Sequence, residues 1–230
     1  MEKEAKQFKV LLAILEKFDA AGILGDMMLI GSWCLYFYRL EFEKPHAFPA
    51  IRTLDVDFLI PDRQRLKREA DVPALLKGMG FVSTFSRSSG IVVYDHEELR
   101  VEFLTPELGR GDHKAQEVKK LHVNAIALRY LNLLTEYPKI IRYHNFDIKV
   151  PEPAVFALHK LIVSARRLNK EKTAKDLEAA ISLLDFLYTK PVEVERIKAI
   201  LEAVPKKWLQ TMLLISKKHF PRLNETAREI

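Results

Sequence analysis

The sequence predicts an α+β (α/β) chain, with a small mixed sheet flanked by helices over residues 1–150 and an all-helical C-terminal lobe over residues 151–230. Three observations point there. An amphipathic pattern opens the chain, short β-type runs bounded by Pro, Gly and Ser recur between residues 53 and 104, and after Pro153 the periodicity turns helical and stays so.

Phe8, Leu11, Leu12, Leu15 and Phe18 recur at helical spacing with Gly22 at the stop, which predicts a helix over 2–21. Residues 27–30 then read as a short strand, Gly31-Ser32 as a tight turn and 33–42 as a helix. A loop with Pro45 and Pro49 leads into 53–60, a strand by residue type that Pro61 closes. Residues 62–79, of mixed charge, read as a solvated helix. Further strands are expected over 81–85, 91–94 and 99–104, separated by Ser-Ser-Gly and His-Glu-Glu turns. Residues 105–113, with Pro106, Gly109 and Gly111, read as a loop, and 140–150 as a hairpin turning at His144-Asn145. The lobe beyond Pro151 is expected to hold helices over 154–168, 173–188, 192–203 and 207–219, separated by Asn169, Pro191 and Pro205.

Composition narrows the function classes. With 48% hydrophobic and 30% charged residues in 230, the chain is neither disordered nor fibrous and can bury a core without staples. Its one cysteine, Cys34, rules out an internal disulfide and reads as a buried thiol in a reducing compartment. No apolar stretch reaches the roughly 18 residues of a membrane span, so a cytoplasmic location without membrane contact is expected. The net charge of +6 falls almost entirely after residue 150, which permits a polyanionic partner without establishing one.

The chemistry concentrates in the strand over 53–60. Alternate side chains of a strand share a face, so Asp55 and Asp57 point one way while Leu54, Val56 and Phe58 point into packing. Cα atoms two residues apart lie about 6.5 Å from each other, close enough for both carboxylates to converge on hard cations. Without compensation such a pair repels, which leaves bound metal or surface salt bridges as the two readings. On the strand over 99–104 the same alternation puts Arg100, Glu102 and Leu104 opposite Leu99, Val101 and Phe103, so Glu102 supplies a third carboxylate. Gly31-Ser32 offers a phosphate seat: glycine admits close backbone approach, and the serine hydroxyl and helix-start N–H groups donate to anions.

Gly31-Ser32, about twenty residues, then Thr53-x-Asp55-x-Asp57-Phe58-Leu59-Ile60 resembles the signature of the nucleotidyltransferase (DNA polymerase β-like) superfamily. Val150-Pro151-x-Pro153, Ala157-Leu158-His159-Lys160-Leu161, Arg166-Arg167 and Lys175-Asp176-Leu177 are further similar to a bacterial and archaeal family of nucleotidyltransferases, kin of AbiEii-type toxins, over roughly residues 25–185. The resemblance implies a nucleotidyltransferase-like sheet domain and transfer of a nucleoside monophosphate from an NTP such as ATP. Mg²⁺ or Mn²⁺ would be held by Asp55, Asp57 and Glu102, and phosphates by Gly31 and Ser32 with Arg52 and Thr53. The acceptor is open between tRNA, a protein hydroxyl and a small molecule. One departure stands out, since the superfamily usually carries aspartate where this chain has Glu102. The alternative is an inactive fold of the same kind that binds nucleotide or RNA, for instance within a toxin–antitoxin pair.

Other candidates stay two-sided. Lys160, Ser164 and Arg167 fall at i, i+4 and i+7, and with Lys175 they either line a nucleotide cleft or form a solvated, ion-paired face. His159 is a packing residue or a ligand, and Arg52 orients phosphate or neutralises the carboxylates.

Overall fold

The computed structural model describes residues 2–43, 53–85, 90–107 and 115–230. The expected Pro45/Pro49 loop, Arg52, Ser88-Ser89 and the glycines at 109 and 111 lie outside the described residues. The chain divides into two compact units, one made of Met1–Phe37 and Ile51–Pro151, the other of Tyr38–Ala50 and Glu152–Ile230.

In the first unit α1 (Glu2–Ala20) ends at Gly22, whose φ of 71° permits the left-handed stop, and a 3-10 turn over Leu24–Asp26 leads to β1 (Met28–Ile30). After Gly31-Ser32 comes α2 (Trp33–Glu41), whose residues from Tyr38 onward belong to the second unit, then β2 (Asp55–Leu59), α3 (Val72–Lys77), β3 (Val82–Phe85), β4 (Val92–Asp95) and β5 (Arg100–Pro106). The remaining elements of this unit are β6 (Ala115–Val118), β7 (Val123–Leu128), α4 (Leu131–Glu136), β8 (Pro138–Tyr143) and β9 (Phe146–Pro151).

Among the described residues seven strands form one mixed sheet, five of them in the order β1-β2-β5-β4-β3. β2 runs parallel to β5, β1 antiparallel to β2, and β4 antiparallel to both β5 and β3. The edge of β5 away from β2 is divided: Arg100 and Val101 pair with β4, whereas Leu104, Thr105 and Pro106 pair in parallel with β7, which carries β6. β8 and β9 make a separate hairpin turning at His144-Asn145, as the sequence predicts.

Alternation decides which face is core. Phe58, on β2, meets Phe18 of α1 at 5.2 Å and Phe103 of β5 at 6.0 Å between ring centroids, and Tyr94 of β4 meets Phe103 edge-on at 5.9 Å. Val56, Phe58, Val101 and Phe103 are essentially inaccessible, so the opposite face of these strands is the one left to the charged residues. Cys34 is buried, and its thiol donates to the Leu29 carbonyl oxygen at 3.3 Å.

The second unit is helical: α5 (Pro153–Ser164), α6 (Lys170–Leu187), α7 (Pro191–Ala203), α8 (Lys206–His219) and α9 (Arg222–Thr226). Pro153 and Pro191 occupy first helical positions, where a missing N–H costs nothing, and the Asn169 side chain caps α6 by accepting from Lys172 N–H at 3.0 Å. α5 is buried on nearly all sides. The Glu152 carboxylate before it accepts two bonds from Arg196 of α7, at 2.6 and 2.8 Å. Among the described residues, no helix is long and apolar enough to cross a membrane.

The α+β class with a trailing helical lobe is therefore present, with two local corrections. Residues 62–71 are turns, not helix, because their backbone groups find partners elsewhere: Asp62 Oδ1 accepts from Gln64 N–H, Asp26 Oδ2 from Lys67 N–H, and the Lys120 carbonyl from Ala70 N–H. The helix begins only at Val72, capped by Asp71 and with Pro73 in its first turn. Thr105 and Pro106 extend β5 where a loop was expected, proline being tolerated at the strand's end, and Glu107 N–H continues the pairing to the Leu128 carbonyl. Because Phe58 is fully buried between Phe18 and Phe103, Phe58→Ala is expected to cost about 3–5 kcal/mol, read as a lower urea midpoint at unchanged slope.

Candidate active site

The turn after β1 and the acidic strand meet through one backbone constraint. Ile30 pairs with Asp57, and Gly31, the next residue, takes a φ of 75°. A Cβ built on Gly31 would fall on Asp57 Oδ2 and stand 3.4 Å from Asp57 Cγ. Only glycine meets both demands, the left-handed backbone and the contact with the carboxylate. The carbonyls of Gly31 and Ser32 accept from Cys34 and Leu35 N–H at 3.2 and 3.1 Å, opening α2, whose first N–H groups have no carbonyl ahead of them within the helix.

Parallel pairing of β2 with β5 puts Asp57 beside Glu102 and Asp55 beside Arg100, all on the face opposite the Phe58 core. Asp55, Asp57 and Glu102 are half-buried. The Thr53 hydroxyl accepts from Asp55 N–H at 3.1 Å, which fixes the entry into the strand. Among the described residues, no set of three or more His, Cys, Asp and Glu side chains is gathered closely enough to hold a metal ion. The donor chemistry nonetheless suits a hard cation, since Asp57 and Glu102 are neighbours on adjacent strands and the Asp57 carboxylate lies against the Gly31 backbone, where a side chain on that residue would have stood.

Arg100 is the residue that sequence reasoning placed on this face without giving it a part. Its Nε donates to Asp95 Oδ1 at 2.6 Å, and Asp95 Oδ2 accepts from Thr84 Oγ1 at 3.0 Å. The hydrogen bond to Asp95 holds the guanidinium above its ordinary pKa against a small opposing effect of burial, and the charges of Asp95, Asp55 and Glu102 add to it. Arg100 is thus the built-in counter-charge of the acidic face. The pattern of alternation reveals its side, but the pairing with Asp95 depends on strand register, which the sequence does not display.

In the helical unit the structure gathers a different set. Asp176, 5% exposed, accepts from Lys160 Nζ at 2.6 Å on one oxygen and from Arg167 Nε at 2.9 Å on the other. Burial pushes its carboxyl up, yet the charges and bonds of Lys160 and Arg167 outweigh that and hold it below the usual carboxylate range. The Ser164 hydroxyl turns back to the Leu161 carbonyl at 2.8 Å, and Lys175 pairs with exposed Glu171 at 2.9 Å on the surface of α6. His159, buried beside Lys160, has an Nε2 without a hydrogen-bond partner.

A family model described as Nucleotidyltransferase matches residues 9–205. The chain belongs to that nucleotidyltransferase family. Comparison with curated proteins finds no match. Among solved structures, an antigenic nucleotidyltransferase-like protein from Paracoccidioides brasiliensis is similar at 18% identity and a TM-score of 0.48, over 95% of this chain and 89% of that one. The antibiotic-resistance factor ANT(2'')-Ia is similar at 8% identity and a TM-score of 0.42, over 99% and 100% of the respective chains.

Two expectations follow for this nucleotidyltransferase. Gly31→Ala forces an L-residue into the left-handed region and its methyl group onto Asp57, so it should lower stability by about 1–2 kcal/mol in urea unfolding. His159 supplies a pH signature. Burial first, then the charge of Lys160, pushes its imidazole down to about 3, so below the ordinary value near 6.5 the unfolded chain binds a proton that the folded chain refuses. Its contribution is complete above about pH 6.5 and drains away as pH falls toward 3, at up to about 1.4 kcal/mol per pH unit. His159→Leu should flatten the stability profile between pH 6 and pH 4 by that slope, as read by urea melts at stepped pH.

Proposed function

We propose that the chain transfers a nucleoside monophosphate from an NTP to a hydroxyl acceptor, using Asp55, Asp57 and Glu102 as ligands of Mg²⁺ or Mn²⁺. The observation that carries this reading is the contact between Gly31 and the Asp57 carboxylate, because it joins a phosphate-type turn to an acid that neighbours a second acid on the next strand. Divalent ions at such a face supply charge neutralisation and polarise the phosphoryl oxygens.

The residues of the chain then divide the work. Gly31, Ser32 and the first N–H groups of α2 seat the triphosphate, with Arg52 and Thr53 on the segment entering β2. The acceptor oxygen attacks the α-phosphorus, the α–β anhydride bond breaks, pyrophosphate leaves with the bonding electrons, and Glu102 takes the acceptor's proton. Arg100, braced by Asp95, offsets the negative charge that would otherwise oppose the incoming triphosphate. In this reading Lys160 and Arg167 act first on Asp176, within the helical unit. The buried thiol of Cys34 suits a reducing, cytoplasmic setting.

Glu102 favours one second reading, binding without transfer, because its longer side chain replaces the superfamily's usual aspartate. The protein would then retain nucleotide or RNA, for instance as one half of a toxin–antitoxin pair. Incubation with labelled NTPs, total tRNA and Mn²⁺ separates the two, since only the enzyme leaves covalent label on an acceptor. Asp57→Ala should reduce that label by at least about a hundredfold, and EDTA should remove it. Equal labelling by wild type and Asp57→Ala would sink the assignment.

A further inference from the structure

Several charged residues described in the helical unit pair with one another. Lys160 and Arg167 close on Asp176, Arg196 on Glu152, Lys175 on Glu171, and Lys198 on Glu195 and Glu229. α8 departs from that pattern. Its sequence, KKWLQTMLLISKKH, contains no acidic residue, and Lys206, Lys207, Lys217 and Lys218 are all exposed and make no ion pair among the described residues.

The spacing orders these lysines. Eleven residues are close to three whole turns of an α-helix, so Lys206 lies in line with Lys217, and Lys207 with Lys218, about 16 Å further along the axis. Gln210 and Leu214, the latter 71% exposed, lie between the two pairs on the same side, whereas Met212 and Ser216 are turned inward and fully buried. A triphosphate is too short to satisfy both lysine pairs at once; a chain of regularly repeated anions can.

We propose that the outward face of α8 binds the phosphate backbone of a nucleic acid, and that the acceptor of the transfer is accordingly RNA. Naming an acceptor rests on the transfer reading above; the binding itself does not. A lipid surface fits less well, because a helix lying on a membrane needs an apolar face turned outward, whereas Met212 is buried, Trp208, Leu209, Leu213 and Ile215 are half-buried, and only Leu214 stands exposed among the lysines. The contacts are with phosphates, so they position RNA without reading its bases.

The test uses the full chain and fluorescently labelled total tRNA, followed by anisotropy between 50 and 300 mM KCl. Replacing Lys206, Lys207, Lys217 and Lys218 together by Gln should weaken binding at least tenfold near 100 mM salt. It should also flatten the slope of log K against log salt by about 3, since each phosphate contact contributes about 0.7 to 0.9. The corresponding four-Arg variant should bind as wild type does, as should Lys198→Gln, which removes a lysine already paired. A four-Gln variant that keeps wild-type affinity and slope would overturn the proposal, as would a wild type that does not bind tRNA. Displacement of tRNA by polyglutamate at equal charge concentration would overturn it in favour of an acidic protein partner. Lysine-dependent capture by phosphatidylserine vesicles, with tRNA unbound, would do so in favour of a membrane. Absence of covalent labelling with tRNA binding intact defeats only the transfer reading, so the two fail separately.

Discussion

Like charge on one face of a sheet is the constraint to which the first unit answers. Asp55, Asp57 and Glu102 share the side of β2 and β5 that the Phe58–Phe103 core does not use, and a half-buried site weakens solvent screening of their repulsion. Arg100 relieves part of that load. Gly31 relieves none of it but, lacking a Cβ, lets the Asp57 carboxylate lie against the turn that precedes α2. In the proposed reading, the positions that set like charges side by side are those that would hold metal against phosphate.

The helical unit solves a comparable problem internally. Asp176 is nearly inaccessible, and two cations on or just beyond α5 converge on its two oxygens, so the charge is matched where it is buried. His159 takes the opposite course. It stays neutral, and the proton it declines makes acid a denaturant for this part of the molecule.

How legible the structure was in the sequence depended on range. The alternation over 55–58 and 99–103 identified the acidic face without knowledge of strand order, because side-chain direction along a strand is local, whereas Leu54, expected in packing, precedes the strand and is 48% exposed. Gly22 and Asn169 announced helix ends for the same reason. Residues 62–71 misled, since their mixed charges suit a solvated helix and their actual partners, Asp26 and Lys120, lie far along the chain. Lys160 and Arg167 were visible as an i, i+7 pair, but that both close on one carboxylate from α6 depends on helix packing, not on spacing. Asp95 with Arg100 was hidden likewise, being a product of the turn between β4 and β5.

The divided edge of β5 has a consequence for how this scaffold can vary. The ribbon of β3 and β4 is fastened at one end of that edge and the ribbon of β7 and β6 at the other, so neither depends on its neighbour for pairing to the central strand. Either ribbon can therefore be lengthened, shortened or redecorated as a separate module without altering the register of β2 against β5, which sets the acids side by side.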